Sequence, residues 1–167
     1  MKRVNGRLIQ ISTDYVFSGE KGNYVEEDER DPINIYGKTK REAEDIIMNS
    51  EIDYTIIRTS GIFGINEATG KTNFFLWVYR NLREKREIHL VKDQFYSPTL
   101  NTFLARAIKE IYERDLSGIF HFSSQDRISR YDFGILVSEI FNLEKYLVKE
   151  AYMSDMMWIA RRPKDSS

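Results

Sequence analysis

The chain has 167 residues, of which 41% are hydrophobic, and its 25 basic and 26 acidic residues leave a formal charge of -1. That size suits one domain with a sizeable core, and the balance offers no global field to recruit nucleic acid or an anionic membrane. Cysteine is absent, which excludes disulfides, thiolate metal sites and a cysteine nucleophile and fits a reducing compartment. No apolar run approaches the roughly 20 residues needed to span a bilayer, and Met1-Lys2-Arg3 leads into no signal-type segment, so a cytoplasmic protein is expected.

Leu8, Ile9 and Ile11 predict a short buried strand, and the polar burst Ser12-Thr13-Asp14 marks its end. Gly19 to Asn23 is turn chemistry, followed by an acidic, solvated loop from Glu26 to Asp31. Pro32 holds Asp31 extended, so a helix is expected just beyond it with Asn34 as its N-cap. In that helix Ala43, Ile46 and Ile47 form the expected inward side, and Lys38, Arg41, Glu42 and Asp45 the outward side. Tyr54 to Arg58 is rich in β-branched residues and reads as a second buried strand, which makes a βαβ unit and predicts a parallel sheet.

Thr59 to Gly64 again places small and polar residues at a strand end, where a ligand can approach the backbone. Asn66 to Lys71 reads as a loop. Thr72 is the expected cap of a helix whose apolar positions are Phe74, Phe75, Trp77, Val78 and Leu82, an aromatic cluster read as core. Glu87 to Val91 alternates as a short strand, and Asp93 to Thr99 is a dense polar-aromatic loop of the kind that carries recognition. A helix follows from Asn101 to Arg114, with Phe103, Leu104, Ala107, Ile108 and Ile111 at helical spacing. Gly118 to Phe122 returns to a strand whose His121 reads as a hydrogen-bonded structural residue, because no second histidine, cysteine or carboxylate pair accompanies it at metal spacing. No metal site is expected. Ser129 caps the last clear helix, with Phe133, Leu136, Val137, Ile140 and Phe141 inward, and Leu143 to Trp158 has no clear assignment.

Chemistry concentrates where the first strand meets the first helix. Tyr36 and Lys40 stand i and i+4 on one helix face. An ammonium beside a phenol favours the phenolate, while the phenol can donate its proton to a carbonyl oxygen becoming an alkoxide. A Thr13 hydroxyl aimed at the same oxygen would complete an acid-catalysed carbonyl reduction. Alone, a Tyr-x-x-x-Lys pair on a charged helix is better explained by an exposed tyrosine lying along a lysine stem; the strand end beside it strengthens the catalytic reading.

The ordered motifs Ser-Thr-Asp-Tyr-Val-Phe-Ser-Gly, Tyr-Gly-Lys-Thr-Lys, Ile-Ile-Arg-Thr-Ser, Asn-Phe-Phe, Asp-Gln-Phe-Tyr-Ser-Pro-Thr, Gly-Ile-Phe-His-Phe and Arg-Arg-Pro resemble the dTDP-4-dehydrorhamnose reductase family, in the extended branch of the short-chain dehydrogenase/reductases. The resemblance runs through nearly the whole chain. It implies an α/β fold, the C-terminal part of a Rossmann-like doubly wound parallel sheet with a small substrate-binding α/β subdomain. Residues 1–62 would belong to the cofactor-binding half, and 63–167 mainly to the substrate part, interleaved with late Rossmann elements.

It further implies that Thr13 binds the reacting carbonyl, Tyr36 donates the proton, and Lys40 holds the nicotinamide ribose, with Ser12 beside the cofactor. Asp14, Tyr15, Asn73, Asp93, Gln94, Pro98, Thr99 and Arg162 are implied to line or approach the sugar-nucleotide site. The implied reaction is reduction of the C4 ketone of dTDP-4-dehydro-L-rhamnose by NADPH or NADH. A non-catalytic alternative on the same fold is similar to the regulatory β subunit of methionine adenosyltransferase.

Two departures from the family pattern stand out. Members usually carry a tryptophan after the Arg-Thr-Ser strand, where this chain has Gly61. The glycine-rich turn that cradles the cofactor pyrophosphate is missing: Gly19 and Gly22 are followed by Val25 at the third position, and Gly61 and Gly64 by Glu67. Roughly the first four strands of the complete sheet are therefore expected to lie outside this sequence, which reads either as a fragment or as a short form. The chain by itself is expected to be inactive and, with an open sheet edge, to self-associate into a homo-oligomer, without nucleic-acid or membrane partners.

Overall fold

The computed structural model describes residues 6–65 and 72–167. Three parallel strands form the central sheet in the order β1, β2, β7: β1 is Leu8–Thr13, β2 Tyr54–Thr59 and β7 Gly118–His121. Register runs Ser12 to Arg58 and Thr13 to Thr59 across the first pair, and Arg58 to His121 across the second. The expected βαβ unit is thus present, with helix α1 (Ile35–Met48) as its crossover.

Beyond β2 the chain builds a second set of elements from short pairings. Strand β3 (Ile62–Phe63) pairs with β6 (Thr99–Leu100) and β4 (Ile88–Val91) with β9 (Val148–Ala151), both in parallel, while β5 (Phe95–Tyr96) and β8 (Ile128–Ser129) are antiparallel. Helices α2 (Phe74–Arg83), α3 (Asn101–Glu113) and α4 (Arg130–Ile140) complete the framework. Two apolar clusters result. Ile57, Leu104 and Ile111, with Ile9 and Ile11, join the central sheet to α3. Val78, Leu82, Leu90, Phe133, Val137 and Val148 join α2 and α4 to the β4–β9 pair. No helix among the described residues is long and apolar enough to cross a membrane.

Local chemistry set most helix starts. The Asn34 side chain accepts from the Gly37 N–H at 2.8 Å, and Ser129 accepts from the Asp132 N–H at 2.9 Å, each satisfying an orphan donor of the first turn. The start of α2 differs by one residue from the expectation. Asn73, not Thr72, is the cap, its Oδ1 taking the Leu76 N–H at 3.0 Å. The loop expected over 66–71 lies outside the described residues.

Helix faces depart further from the apolar periodicity. Ile46 is 72% exposed, and the buried residues of α1 beside Ile47 are Gly37 and Glu44. Phe103 of α3 is exposed, and so are Leu136, Ile140 and Phe141 at the end of α4. These last three border an apolar groove of about 360 Å³ with Phe63, Ile65 and Phe75. Each helix has more apolar residues than its packed face can cover, so the neighbouring elements select which stripe is buried. The unassigned segment after Leu143 supplies β9, whose partner β4 lies some sixty residues earlier in register His89 to Lys149.

Candidate active site

Backbone geometry at the end of β1 places the first group. Thr13 caps a single 3-10 turn, Asp14–Val16, accepting from the Tyr15 N–H at 3.2 Å and donating its own hydroxyl to Asp14 Oδ1 at 2.9 Å. Asp14 is a knot. Its Oδ2 accepts from Ser60 Oγ at 2.7 Å and from Ser166 Oγ at 2.6 Å, so the ends of β1 and β2 and the C-terminal stretch meet on one carboxylate. Burial pushes this carboxyl above the usual range, against the three hydroxyls and Arg130, which favour its charge.

Helix α1 lies directly on that turn. Tyr36 is 53% exposed, with its ring 6.0 Å from the Tyr15 ring in an edge-on contact at 74°. One turn further in, Lys40 Nζ donates to the Ile11 carbonyl at 3.2 Å. An ammonium has three N–H donors, so this bond leaves capacity for the hydroxyls of a ribose while fixing the lysine against β1. Thr13, Tyr36 and Lys40 are therefore brought to one end of β1, where open α/β sheets place their ligands. Ser12 is not brought with them. Its hydroxyl is buried and donates to Glu44, on the underside of α1.

On the other side of Tyr15 opens a pocket of about 470 Å³, lined among others by Phe74, Trp77, Gln94, Arg130, Trp158 and Arg162. The aromatic residues of α2 read as core divide here: Val78 and Leu82 are buried, while Phe74 and Trp77 stack on each other at 6.3 Å and face this pocket. Arg162 lies over Trp158 at 4.5 Å. Arg130 sits between Tyr96 and Phe74, 3.7 and 4.9 Å from the ring centres, and lies close enough to Tyr15 for its charge to act on that phenol. Burial pushes the Tyr96 phenol up to about 12 and raises that of Tyr15, where the Asp14 charge adds to the effect. Both rings thus stay neutral. Tyr96 also occupies the space beside Gly61: a Cβ there would stand 2.4 Å from its ring.

Several residues assigned to the sugar side make hydrogen bonds within the frame. Asn73 caps α2 and donates to the Gly64 carbonyl at 2.6 Å. Asp93 accepts from the Met153 N–H at 2.8 Å, and the Pro98 carbonyl accepts from the Ser124 N–H at 3.3 Å. Thr99 is buried on β6 and accepts from the Thr59 hydroxyl at 2.9 Å. Gln94 borders the pocket, although its amide donates to the Pro163 carbonyl at 3.0 Å. Arg130 escaped the sequence reading. A cation at the first position of a helix opposes the macrodipole, and that anomaly was the available signal.

His121 is structural, as expected. Its ring bonds the Tyr24 carbonyl at 3.1 Å through Nδ1 and Arg58 at 3.3 Å through Nε2. Donating at one nitrogen and accepting at the other requires the neutral ring, and burial holds this histidine below its ordinary value of 6.5.

A parallel sheet crossed over by α1, with a polar site at its strand ends, defines a Rossmann-like α/β protein. The chain belongs to the RmlD substrate binding domain family, whose pattern matches residues 1–167. It is similar to the spore coat polysaccharide biosynthesis protein SpsK of Bacillus subtilis, at 39% identity over 85% of this chain and 49% of the relative. Among solved structures, a hypothetical dTDP-4-dehydrorhamnose reductase from Sulfolobus tokodaii is 42% identical with a TM-score of 0.83, over 99% of this chain and 56% of the other. The dTDP-4-dehydrorhamnose reductase of Bacillus anthracis in complex with NADP is 32% identical with a TM-score of 0.91, over 98% and 57%. Methionine adenosyltransferase 2 subunit beta of Danio rerio is also similar, at 32% identity over 81% of this chain and 44% of the relative. The chain thus spans about half the length of the curated relatives it matches.

Proposed function

We propose that the complete polypeptide is an NAD(P)H-dependent reductase of a nucleotide-linked keto sugar, converting the C4 ketone of dTDP-4-dehydro-L-rhamnose to the alcohol of dTDP-L-rhamnose. The observation that carries this reading is the convergence of Thr13, Tyr36 and Lys40 at the end of β1, with Tyr15 and Arg130 joining that point to the aromatic, cationic pocket. Lys40 and Tyr36 would hold the nicotinamide ribose, and the exposed Tyr36 with the under-used donors of the half-buried Lys40 fit it. The reduced cofactor, when bound, supplies the hydride to C4.

The chain's own groups supply the rest. Tyr36 gives its phenolic proton to the oxygen that becomes the alcohol, while Lys40, one helical turn further on, is held against β1 by the Ile11 carbonyl. Thr13 can bond the same oxygen once its hydroxyl turns from Asp14, whose other oxygen remains bonded by Ser60 and Ser166. Arg130 and Arg162, with the stacked Phe74 and Trp77, suit a diphosphate joined to a planar base. Self-association over the apolar groove beside α4 belongs to the same reading, and sedimentation of the chain tests it.

Turnover by the complete protein, followed as loss of reduced nicotinamide with the dTDP-keto sugar, is the deciding experiment. Tyr36→Phe should lower kcat at least about 100-fold, and comparing kcat/KM for NADPH and NADH assigns the cofactor. Absence of turnover, with association to a methionine adenosyltransferase catalytic subunit, would favour the non-catalytic alternative.

A further inference from the structure

Helix α1 carries the proposed proton donor, yet apolar packing alone does not hold it in place. Its buried residues are Gly37, Glu44 and Ile47, while Ile35 and Ile46 face solvent. A helix with so small an apolar footprint can slide or rotate unless directional contacts set its register. Glu44 supplies them. It lies one turn beyond Lys40 and two beyond Tyr36, on the same side of the helix, and its side chain is 0% exposed.

The Glu44 carboxylate grips two strands at one level. Its Oε1 accepts the Ser12 hydroxyl of β1, and both oxygens accept from Arg58 of β2, with Nη2 at 2.9 Å and Nε at 3.1 and 3.2 Å. Ser12 and Arg58 are register partners in adjacent strands. Arg30 adds a further cation at 3.2 Å to Oε2, so the buried charge is compensated. Ser12 immediately precedes Thr13, and Lys40 already bonds the Ile11 carbonyl. The same short piece of β1 therefore bears the hydroxyl of the site and anchors the helix that bears its tyrosine and lysine.

We propose that Glu44 is a positioning residue: through Ser12 and Arg58 it fixes the height and rotation of α1, and with them the placement of Tyr36 and Lys40 relative to Thr13. A buried ion pair is a poor source of net stability compared with apolar packing, because desolvation offsets the attraction. What it does impose is one geometry, and misplacement of catalytic groups by about 1 Å can cost a factor of 100 in rate. This inference rests on the reductase reading, and it predicts a loss in kcat with substrate binding retained.

The test uses the complete polypeptide with Ser12→Ala, which removes only the link to β1, and Glu44→Gln, which leaves Arg58 without its full counter-charge. Both should lower kcat at least about ten-fold while KM for the dTDP-keto sugar stays within about two-fold, measured well below each variant's melting temperature. Should Glu44→Gln fail to fold, Ser12→Ala carries the test. A lowered melting temperature with unchanged kcat would overturn the proposal, because a merely structural clamp behaves that way. If the unmodified protein has no reductase activity, the functional reading fails separately. Fluorine NMR of fluorotyrosine-labelled protein, with the Tyr36 signal assigned by Tyr36→Phe, then reads the placement directly. The Tyr36 resonance should move in Ser12→Ala, and an unmoved resonance would overturn the proposal.

Discussion

Gly37 of α1 lies directly against the backbone of Tyr15: a Cβ on Gly37 would stand 2.1 Å from the Tyr15 carbonyl oxygen and 2.8 Å from Pro32. The glycine between Tyr36 and Lys38 is thus a requirement of close approach, and it lets the helix sit on the turn that follows Thr13. Gly37→Ala should force the helix outward. A loss of about 1–3 kcal/mol is expected from overpacking against immovable backbone, read by urea denaturation, and the complete protein should lose activity beyond what its folded fraction explains. Unchanged stability would mean that the helix has slack the structure does not show.

Arg130 combines planar stacking with charge. Arg130→Lys keeps the charge but loses the flat contact with Tyr96 and Phe74 and the fork geometry suited to a diphosphate. Under the proposed function it should raise KM for the sugar nucleotide about ten-fold, roughly 1.4 kcal/mol of binding, with kcat reduced less. Isothermal titration with dTDP separates nucleotide binding from turnover.

His121 couples stability to pH. Its folded-state value lies below 6.5, so the unfolded chain binds the extra proton, and the histidine's contribution is complete above about pH 6.5 and lost as the pH falls below it through the folded value. Melting temperature should therefore fall on acidification from neutral pH. His121→Gln, uncharged throughout, should flatten that part of the profile, although it costs stability at pH 7.5 by losing one of the two ring hydrogen bonds.

Asp14 works in the opposite sense. Burial raises its folded-state value above the ordinary 3.8, so the native state binds the extra proton, and stability falls as pH rises from the unfolded value through the folded one. Asp14→Asn removes the charge and one of the two acceptor oxygens that its three hydroxyl partners share. Its stability should vary less with pH between acid and neutral conditions, while the contact to Ser166 should loosen. Proteolytic sensitivity of the C-terminal stretch would report that loosening.

Elements whose signals are local were legible from the residues: the strands at Leu8 and Tyr54, the caps Asn34 and Ser129, and the pairing of Tyr36 with Lys40 on one helix face. Each depends on neighbours within a turn or on alternation along a strand, and such interactions survive without the rest of the chain. The tertiary structure alone decided the remainder. It buried Glu44 and exposed Ile46, because a charged side chain can enter the interior where Ser12, Arg30 and Arg58 converge on it. It paired β4 with β9 across a long separation, brought Ser166 to Asp14, and set Arg130 between two rings above the pocket. These contacts join residues far apart in sequence, and no periodicity encodes which distant partner will be present. The residues determined what chemistry the chain carries, and the packing of α1 and α4 around the strand ends determined where it can act.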